Sequence, residues 1–199
     1  MAEIQLRNLT KRFEDVIAIN NVSLETQDRE FLIMLGPSGC GKTTTLRSIA
    51  GLEHPQEGDI FIGETRVNGL APADRDIAFV FQFYALYPHL TVYDNIAFPL
   101  KAAKVAKSDI EERVLRVAQM LRIEHILNRK PSLLSGGEMQ RVAIGRSMIR
   151  RPTVFLMDEP MSNLDAKLRV EMRSELKRLQ QQLGTTAIYV THDQVEAMS

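Results

Sequence analysis

The chain has 199 residues, of which 44% are hydrophobic, and its 25 Lys and Arg balance 25 Asp and Glu to a formal net charge of +0. Such a length buries one sizeable core, and a neutral chain has no overall field that would draw it onto nucleic acid or an anionic membrane. The single cysteine, Cys40, excludes an internal disulfide and fits a reducing compartment, for which the cytoplasm is the default.

The N-terminal part of the chain is predicted to form strands only. In the rest of the chain, the predicted strands alternate with helices. Polar turns between apolar residues predict short antiparallel strands around Ile4, Leu6, Val22, Leu24, Ile60 and Ile62. Continuous apolar runs at 31–35 and 154–157 are typical of central strands covered on both faces, and those at 77–81 and 187–191 are similar. The alternation indicates an α/β sheet that is parallel in its centre.

Residues from about 85 to 150 are predicted to be mostly helical and to form a separate lobe inserted into the sheet domain. Ser108 and Glu111 fit a capping box ahead of an apolar stripe made by Ile110, Val114, Val117 and Leu121. A later helix has Asp165 as its predicted N-cap, Gly184 as its stop, and a second stripe made by Leu168, Met172, Leu176, Leu179 and Leu183.

The segment GPSGCGKT at 36–43 satisfies the pattern G-x-x-x-x-G-K-[ST] between a predicted buried strand and a helix. Glycines let successive N–H groups point at phosphate oxygens, and the following helix presents its positive end to the same charge. Lys42 would then contact the terminal phosphates of a nucleotide, and Thr43 would bind Mg²⁺. The alternative, a chance glycine-rich turn, is disfavoured by the strand before it.

Two further segments carry candidate chemistry. Asp158 and Glu159 follow a buried strand, where Asp158 would hold Mg²⁺ and Glu159 would act as the general base. Without the phosphate-binding segment upstream, a solvated turn would be the alternative for this acidic pair. The segment LSGGEMQ at 134–140 combines a serine, two glycines and a helix start, which favours a second anion site over an ordinary helix cap. One nucleotide has little use for two phosphate cradles, so the second cradle would serve a nucleotide held by another subunit.

Together with SNLD at 162–165 and THD at 191–193, these segments resemble the ATP-binding-cassette ATPases in order and approximate spacing. Within that family, FQFYALYPHLTVYDNIAFPL and THDQVEAM resemble the bacterial importers of sugars and polyols. The resemblance implies an α/β P-loop NTPase core with a mostly parallel sheet, a flanking antiparallel β subdomain and an inserted helical subdomain. It makes 1–199 one nucleotide-binding domain, incomplete at its C-terminus, with its helical lobe at about 85–150.

The resemblance also assigns roles residue by residue. The catalytic residues would be Glu159, His192 and Gln82. The Mg²⁺ ligands would be Thr43, Gln82 and Asp158. ATP would be bound by Phe13, Gly36, Pro37, Ser38, Gly39, Cys40, Gly41, Lys42, Thr43, Thr44, Ser135, Gly136, Gly137 and Asp165. A core phenylalanine at 13 and a surface glutamine at 82 are the alternatives for those two positions.

The implied partners are ATP, a second copy in a head-to-tail pair, and an integral membrane permease, with no nucleic acid. The sequence lacks a signal peptide and a run of roughly 20 apolar residues. We therefore expect a soluble cytoplasmic chain, peripheral on the inner face of the cell membrane. Tyr84, Tyr87 and Pro88 form either the groove for a permease helix or a packed aromatic cluster. Departures from the family are Glu138, Phe83 and Met161, in place of the more frequent Gln, Asn and Leu.

Three other cassette functions compete with import. Chromosome and DNA-repair ATPases insert long coiled coils, whereas only about ninety residues separate Gly36 from the 134–140 segment, with no heptads. Ribosome-acting cassettes usually carry two cassettes and a charged linker. A non-hydrolysing regulator conflicts with the carboxylate of Glu159.

Overall fold

A computed structural model describes residues 3–197 of the chain. Its strands and helices, in chain order, are β1 (Ile4–Phe13), β2 (Val16–Glu25), β3 (Phe31–Leu35), α1 (Lys42–Ala50), β4 (Glu57–Ile62), β5 (Thr65–Arg66), β6 (Ile77–Val80), α2 (Val92–Ala102), α3 (Lys107–Leu121), α4 (Gly136–Met148), β7 (Val154–Asp158), α5 (Ala166–Leu183), β8 (Thr186–Thr191) and α6 (Gln194–Ala197). No helix among these residues is long and apolar enough to cross a membrane.

The chain forms two compact units, and each is assembled from separate stretches of sequence. The first unit contains the residues up to Phe79, the stretch Thr153–Glu159 and the residues from Gln180 on. The second unit contains Val80–Pro152 and Pro160–Leu179. The division into domains, with a lobe at 85–150, stays a prediction.

Two sheets provide most of the strands. The antiparallel sheet has the order β2-β1-β4-β5, and the other sheet has the order β3-β8-β7-β6. In the latter, β8 runs parallel to both β3 and β7. The predicted α/β class is confirmed, with a parallel centre and flanking antiparallel strands.

Helix α1 lies in the apolar core of the first unit. Its Leu46 and Ile49 are fully buried and belong to one cluster with Leu6 of β1 and with Leu156 and Ile188 of β7 and β8. Burial of one such side chain stabilises a fold by about 1.5 to 3 kcal/mol. The core therefore fixes the direction in which α1 presents its N-terminus.

The two predicted central strands differ in their burial within residues 3–197. Every residue of β7 is buried. In β3, the first four residues are only half-buried and Leu35 is 45% exposed. The reason is that β3 stands at the end of its sheet order within residues 3–197, with β8 as its paired neighbour.

The predicted capping box at Ser108 is also wrong. Helix α3 begins two residues earlier than predicted, with Ala106 at the N-cap, so Ser108 lies inside the first turn and its hydroxyl donates to Asp109 Oδ1 at 3.3 Å. The apolar stripe of that helix is buried as expected. The predicted ends of α5 are confirmed: Asp165 Oδ1 accepts from the Leu168 N–H at 3.0 Å, and Gly184 follows the last turn with φ 62°.

Three helices pack together in the second unit. A Cβ atom built on Gly145 of α4 would lie 3.0 Å from Leu121 Cδ1, 3.2 Å from Val117 Cγ1 and 3.5 Å from Ile96 Cδ1. Helix α4 therefore approaches α2 and α3 at a distance that leaves little room for a larger side chain.

Arg75 holds the C-terminal end of α1. Its side chain is 3% exposed and donates to the carbonyl oxygens of Ser48 and Ile49 at 2.9 Å each, and to that of Leu70 at 3.1 Å. Burial lowers the pKa of Arg75. A cation at this end of the helix complements the macrodipole and satisfies carbonyl groups that have no partner within the helix.

We expect Arg75→Met to lower the free energy of unfolding by about 1 to 3 kcal/mol, because the carbonyl groups of Ser48, Ile49 and Leu70 lose a charged donor. Arg66→Met is the control, since Arg66 is exposed and pairs with Asp59 at the surface. Chemical denaturation of the two variants checks the expectation. Equal stabilities would contradict it.

Candidate functional site

The loop between β3 and α1 has a backbone that only glycine accommodates at its last turn. Gly41, the N-cap of α1, has φ 96°, and a Cβ atom there would collide with the carbonyl oxygen of Ala18 in β2. The Gly41 carbonyl accepts from the N–H and the hydroxyl of Thr45 at 2.8 and 2.9 Å. The loop therefore lies against β2 and opens directly into the N-terminus of α1.

Lys42 is held within its own loop. Its Nζ donates to the carbonyl oxygens of Gly36 at 2.7 Å and Pro37 at 2.8 Å, and it lies 3.6 Å from Cys40 Sγ. These contacts place a positive charge inside the curve of the loop, beside the N-terminus of α1. The Lys42 ammonium group and the N-terminus of α1, both of which favour an anion, therefore lie at the same loop.

The end of β7 meets this loop. Thr43 Oγ1 donates to Asp158 Oδ1 at 2.7 Å, and Asp158 is 5% exposed. Burial raises the pKa of Asp158; the hydrogen bond from Thr43 and the charges of Arg47 and Lys42 oppose that shift, and Glu159 adds to it. A desolvated carboxylate beside a hydroxyl is a pair of oxygen ligands suited to a divalent cation.

Glu159 is paired with His192 after β8. Its Oε2 lies 3.2 Å from His192 Nδ1, and its N–H donates to the Val190 carbonyl at 3.1 Å. The backbone of Glu159 is left-handed, with φ 44°, which is uncommon for a residue other than glycine. The two predicted catalytic residues of the first unit are therefore in contact.

Phe13 lies at the end of β1 and is not a core residue. It is 42% exposed, and Lys11 Nζ stands 4.7 Å from the centre of its ring. Lys11 also pairs with Glu53 at 3.3 Å. The Phe13 ring is therefore partly exposed to solvent and has a cation over one face.

In the second unit, Ser135 caps α4 through a capping box. Glu138 Oε2 accepts from the Ser135 N–H and the Ser135 hydroxyl at 2.7 Å each, while Ser135 Oγ accepts from the Glu138 N–H at 3.4 Å. The backbone hydrogen bond from Ser135 is the main reason that the pKa of Glu138 is lowered. The unusual Glu138 thus stabilises the start of the helix.

Both glycines of that segment allow close approach. A Cβ atom on Gly137 would lie 2.5 Å from Leu168 Cδ2 of α5, and one on Gly136 would lie 3.6 Å from the Tyr84 hydroxyl. The N-terminus of α4 is therefore crowded by its neighbours on one side, which fixes its position in the second unit.

Gln82 and Asp165 are the other predicted residues of the second unit. Gln82 is half-buried, and its carbonyl accepts from Asn163 Nδ2 at 3.0 Å. Asp165 caps α5, as described above. The structure brings the loop, Asp158, Glu159 and His192 together in the first unit; the roles assigned to all these residues stay predictions.

The segment of Tyr84, Tyr87 and Pro88 contains both buried and exposed residues. Tyr84 is buried, Pro88 is exposed, and the Tyr87 ring packs 4.5 Å from that of Phe98. The segment thus contains both packed and exposed side chains. A groove for a permease helix and a packed aromatic cluster both stay predictions for it. His54, His89 and His125 are exposed surface residues.

Sequence reasoning missed Arg75, Arg146 and Asn163. Each donates to backbone carbonyl groups far away in sequence, and no spacing or motif reports such a contact. A cavity of about 470 Å³, bordered by Asp28, Arg75 and Thr153, contains none of the predicted site residues. We do not assign it to a nucleotide.

Thr43 and Asp158 supply the oxygen atoms in the first unit that are candidates to bind Mg²⁺. No cluster of three or more His, Cys, Asp or Glu suited to a metal occurs among the residues that the structure describes. Magnesium usually keeps several waters and takes one or two carboxylates together with substrate phosphates. Thr43 and Asp158, already adjacent, fit that mode of binding.

Comparison with known proteins identifies close relatives. A family model described as "ABC transporter" matches residues 19–162. The trehalose/maltose import ATP-binding protein of Thermococcus litoralis is 62% identical, over 100% of this chain and 55% of its own length. An osmoprotective-compounds uptake ATP-binding protein of Synechocystis is 58% identical, over 100% of this chain and 55% of its own length. The chain thus spans about half the length of the curated relatives it matches.

Solved structures of similar fold include dimeric cassettes. One is a post-hydrolysis state of an ATP-binding cassette bound to ADP and Pi, with 36% identity and a TM-score of 0.86, covering 98% of this chain and 90% of that one. Another is the dimer of a bacterial ABC transporter cassette, with 35% identity and a TM-score of 0.87 at the same coverage.

We expect Asp158→Asn to raise the thermal unfolding midpoint at pH 7 by a few degrees in the absence of nucleotide and Mg²⁺. The folded state binds a proton at Asp158 more tightly than the unfolded chain does, so stability falls as pH rises from the ordinary carboxyl pKa through the raised one. The amide removes this loss and still accepts from Thr43. The gain should shrink as pH is lowered through the same window.

Asp15→Asn is the matched control, because Asp15 is an exposed carboxylate of the same unit. Thermal unfolding of both variants between pH 4 and 8 makes the comparison. An Asp158→Asn variant less stable than its parent at pH 7 would show that the carboxylate is held favourably.

Proposed function

Because this chain belongs to the ABC transporter family, we propose that it is the ATP-hydrolysing subunit of an importer that moves a solute through a membrane permease. The observation that carries the proposal is the 2.7 Å hydrogen bond from Thr43 to Asp158, which joins the phosphate loop to the acidic end of β7. Similar proteins named for import and uptake support the direction of transport.

ATP binding would use the first unit. The N–H groups of residues 36–44 would donate to the phosphates, and the Lys42 ammonium would neutralise part of their charge. The Phe13 ring, exposed and beside Lys11, would stack on adenine. A preformed loop loses little conformational entropy on binding.

Thr43, Asp158 and Gln82 would hold Mg²⁺ in this site. The ion would supply charge stabilisation for the phosphate oxygens during transfer. Thr43 and Asp158 are preorganised for this by their mutual hydrogen bond. Desolvation of Asp158 raises its pKa, and a bound cation would lower it again.

Hydrolysis would proceed by in-line attack of water on the γ-phosphate. Glu159 would accept a proton from the water as its oxygen bonds to phosphorus, and the bond to the ADP oxygen would break, giving ADP and phosphate. His192, 3.2 Å from Glu159 Oε2, would orient that carboxylate and contact the γ-phosphate. Backbone and side-chain dipoles of the loop would supply most of the stabilisation.

Two copies would pair head to tail around two ATP molecules. Ser135, Gly136, Gly137 and Asp165 of one copy would face the nucleotide held by the other. Similar cassettes of known structure are dimers, which supports this arrangement. Hydrolysis would open the pair and so drive the permease.

The transported solute would be a sugar or polyol, since the similar proteins are named for trehalose, maltose and osmoprotective compounds. The permease, rather than this chain, would contact the solute. The chain would act in the cytoplasm, peripheral on the inner face of the cell membrane.

We expect Glu159→Gln to retain ATP binding and lower hydrolysis by roughly 10²- to 10⁴-fold, because the amide cannot take the proton from water. Loss of a negative charge near the γ-phosphate should also prolong the ATP-bound pair. Phosphate release and gel filtration in Mg-ATP measure both effects, with Lys42→Ala as the control that loses nucleotide binding. Near-parental hydrolysis would remove Glu159 from the role of base.

We expect Ser135→Arg to leave ATP binding by the single chain nearly intact while blocking pairing and hydrolysis. The larger side chain would fill the second phosphate cradle, while the residues of the loop at 36–43 stay unchanged. Fluorescent-nucleotide titration of the monomer and gel filtration separate the two effects. Lost monomer binding with pairing preserved would refute this division of labour.

A further inference from the structure

The main chain just after Gln82 has an uncommon conformation. Tyr84 and Ala85 are successive non-glycine residues with φ 57° and 49°, in the left-handed region. Such residues persist only where surrounding contacts hold them, and they concentrate at functional sites. What holds this segment therefore also determines where Gln82 lies.

Arg146 of α4 supplies two of those contacts. Its Nη1 donates to the Ala85 carbonyl at 2.6 Å and its Nη2 donates to the Tyr84 carbonyl at 3.1 Å. The guanidinium carbon also lies 5.4 Å from the centre of the Tyr87 ring. The planar fork of an arginine fits two adjacent carbonyl groups, whereas a lysine ammonium is a point charge.

Asn163 holds the other end of the segment. Its Nδ2 donates to the carbonyl of Gln82 itself at 3.0 Å. Between these anchors, the buried Tyr84 hydroxyl stands 3.6 Å from where a Cβ atom on Gly136 would be. The segment 82–85 is thus bound to α4 and to the loop before α5, all within the second unit.

We propose that Arg146, assisted by Asn163, is a positioning residue for Gln82, acting through the backbone of residues 82–85. The proposal rests on the role given to Gln82 in the proposed function. Without the guanidinium, the two left-handed residues relax and carry Gln82 away from its working position. A misplacement of about 1 Å in a catalytic arrangement costs on the order of 10²-fold in rate.

The experiment compares Arg146→Met and Arg146→Lys with Arg141→Met, in protein expressed from the complete gene. Arg141 lies on the same helix but pairs with Glu175 at 3.3 Å, so its loss removes a guanidinium without touching the segment. We expect Arg146→Met to lower turnover roughly 10- to 100-fold and to reduce the gain in ATP affinity that Mg²⁺ provides. ATP affinity without Mg²⁺ should stay within about twofold, Arg146→Lys should be intermediate, and Arg141→Met should match the parent.

A double-mutant cycle with Gln82→Ala decides whether Arg146 acts through Gln82. If it does, adding Arg146→Met to Gln82→Ala lowers turnover no further. If the double variant loses turnover by the product of the two single losses, the proposal is overturned. It is also overturned if Arg146→Met retains parental turnover while Gln82→Ala is impaired. Parental turnover in Gln82→Ala itself overturns it too, while the phosphate-loop assignment, tested by Lys42→Ala, is unaffected.

Asn163→Ala keeps the test decisive if Arg146→Met does not fold. It removes a single hydrogen bond to Gln82 and leaves Arg146 in place. We expect the same loss of Mg²⁺-dependent affinity at a smaller magnitude. If Asn163→Ala and Arg146→Lys both retain parental turnover and parental Mg²⁺-dependent ATP affinity, the proposal is contradicted.

Discussion

The hydrogen bond between Thr43 and Asp158 is the contact on which the proposed chemistry depends. It joins a residue at the start of α1 to one at the end of β7, 115 positions apart in sequence. Both ends are set by the core, because α1 packs in one apolar cluster with residues of both sheets and every residue of β7 is buried. The catalytic arrangement is therefore a product of core packing as much as of the loop itself.

Much of the fold and the candidate site could be predicted because their signals are local. Glycine spacing between a strand and a helix indicates the phosphate loop, and Asp165 and Gly184 indicate the ends of α5. The partial exposure of β3 could not be predicted, since an apolar run has the same pattern wherever its strand stands in a sheet. The predicted capping role of Ser108 is wrong because the helix begins at Lys107, and a capping argument fails when the helix start shifts by two residues.

The contacts that sequence reasoning missed share one chemistry. Arg75, Arg146 and Asn163 each donate to carbonyl groups of distant backbone, which any residue type supplies. Only the folded chain shows which carbonyl groups come within reach. Uncommon backbone conformations accompany the candidate site as well: Glu159 and the two residues at 84 and 85 have positive φ. Eight other non-glycine residues in the described part of the chain, among them Asn8, Asn21 and Arg151, also have positive φ, so this conformation alone does not mark a functional position.

The sheet order has a consequence for synthesis on the ribosome. Strand β3 pairs with β8, so Phe31 finds its partner at Ala187, a separation of 156 positions. At typical rates of translation, that partner follows after roughly 8 to 30 s. During this interval the nascent chain exposes an apolar segment, Phe31–Leu35, immediately ahead of the phosphate loop. The nucleotide loop is thus complete in sequence long before its supporting strand, β8, has been made.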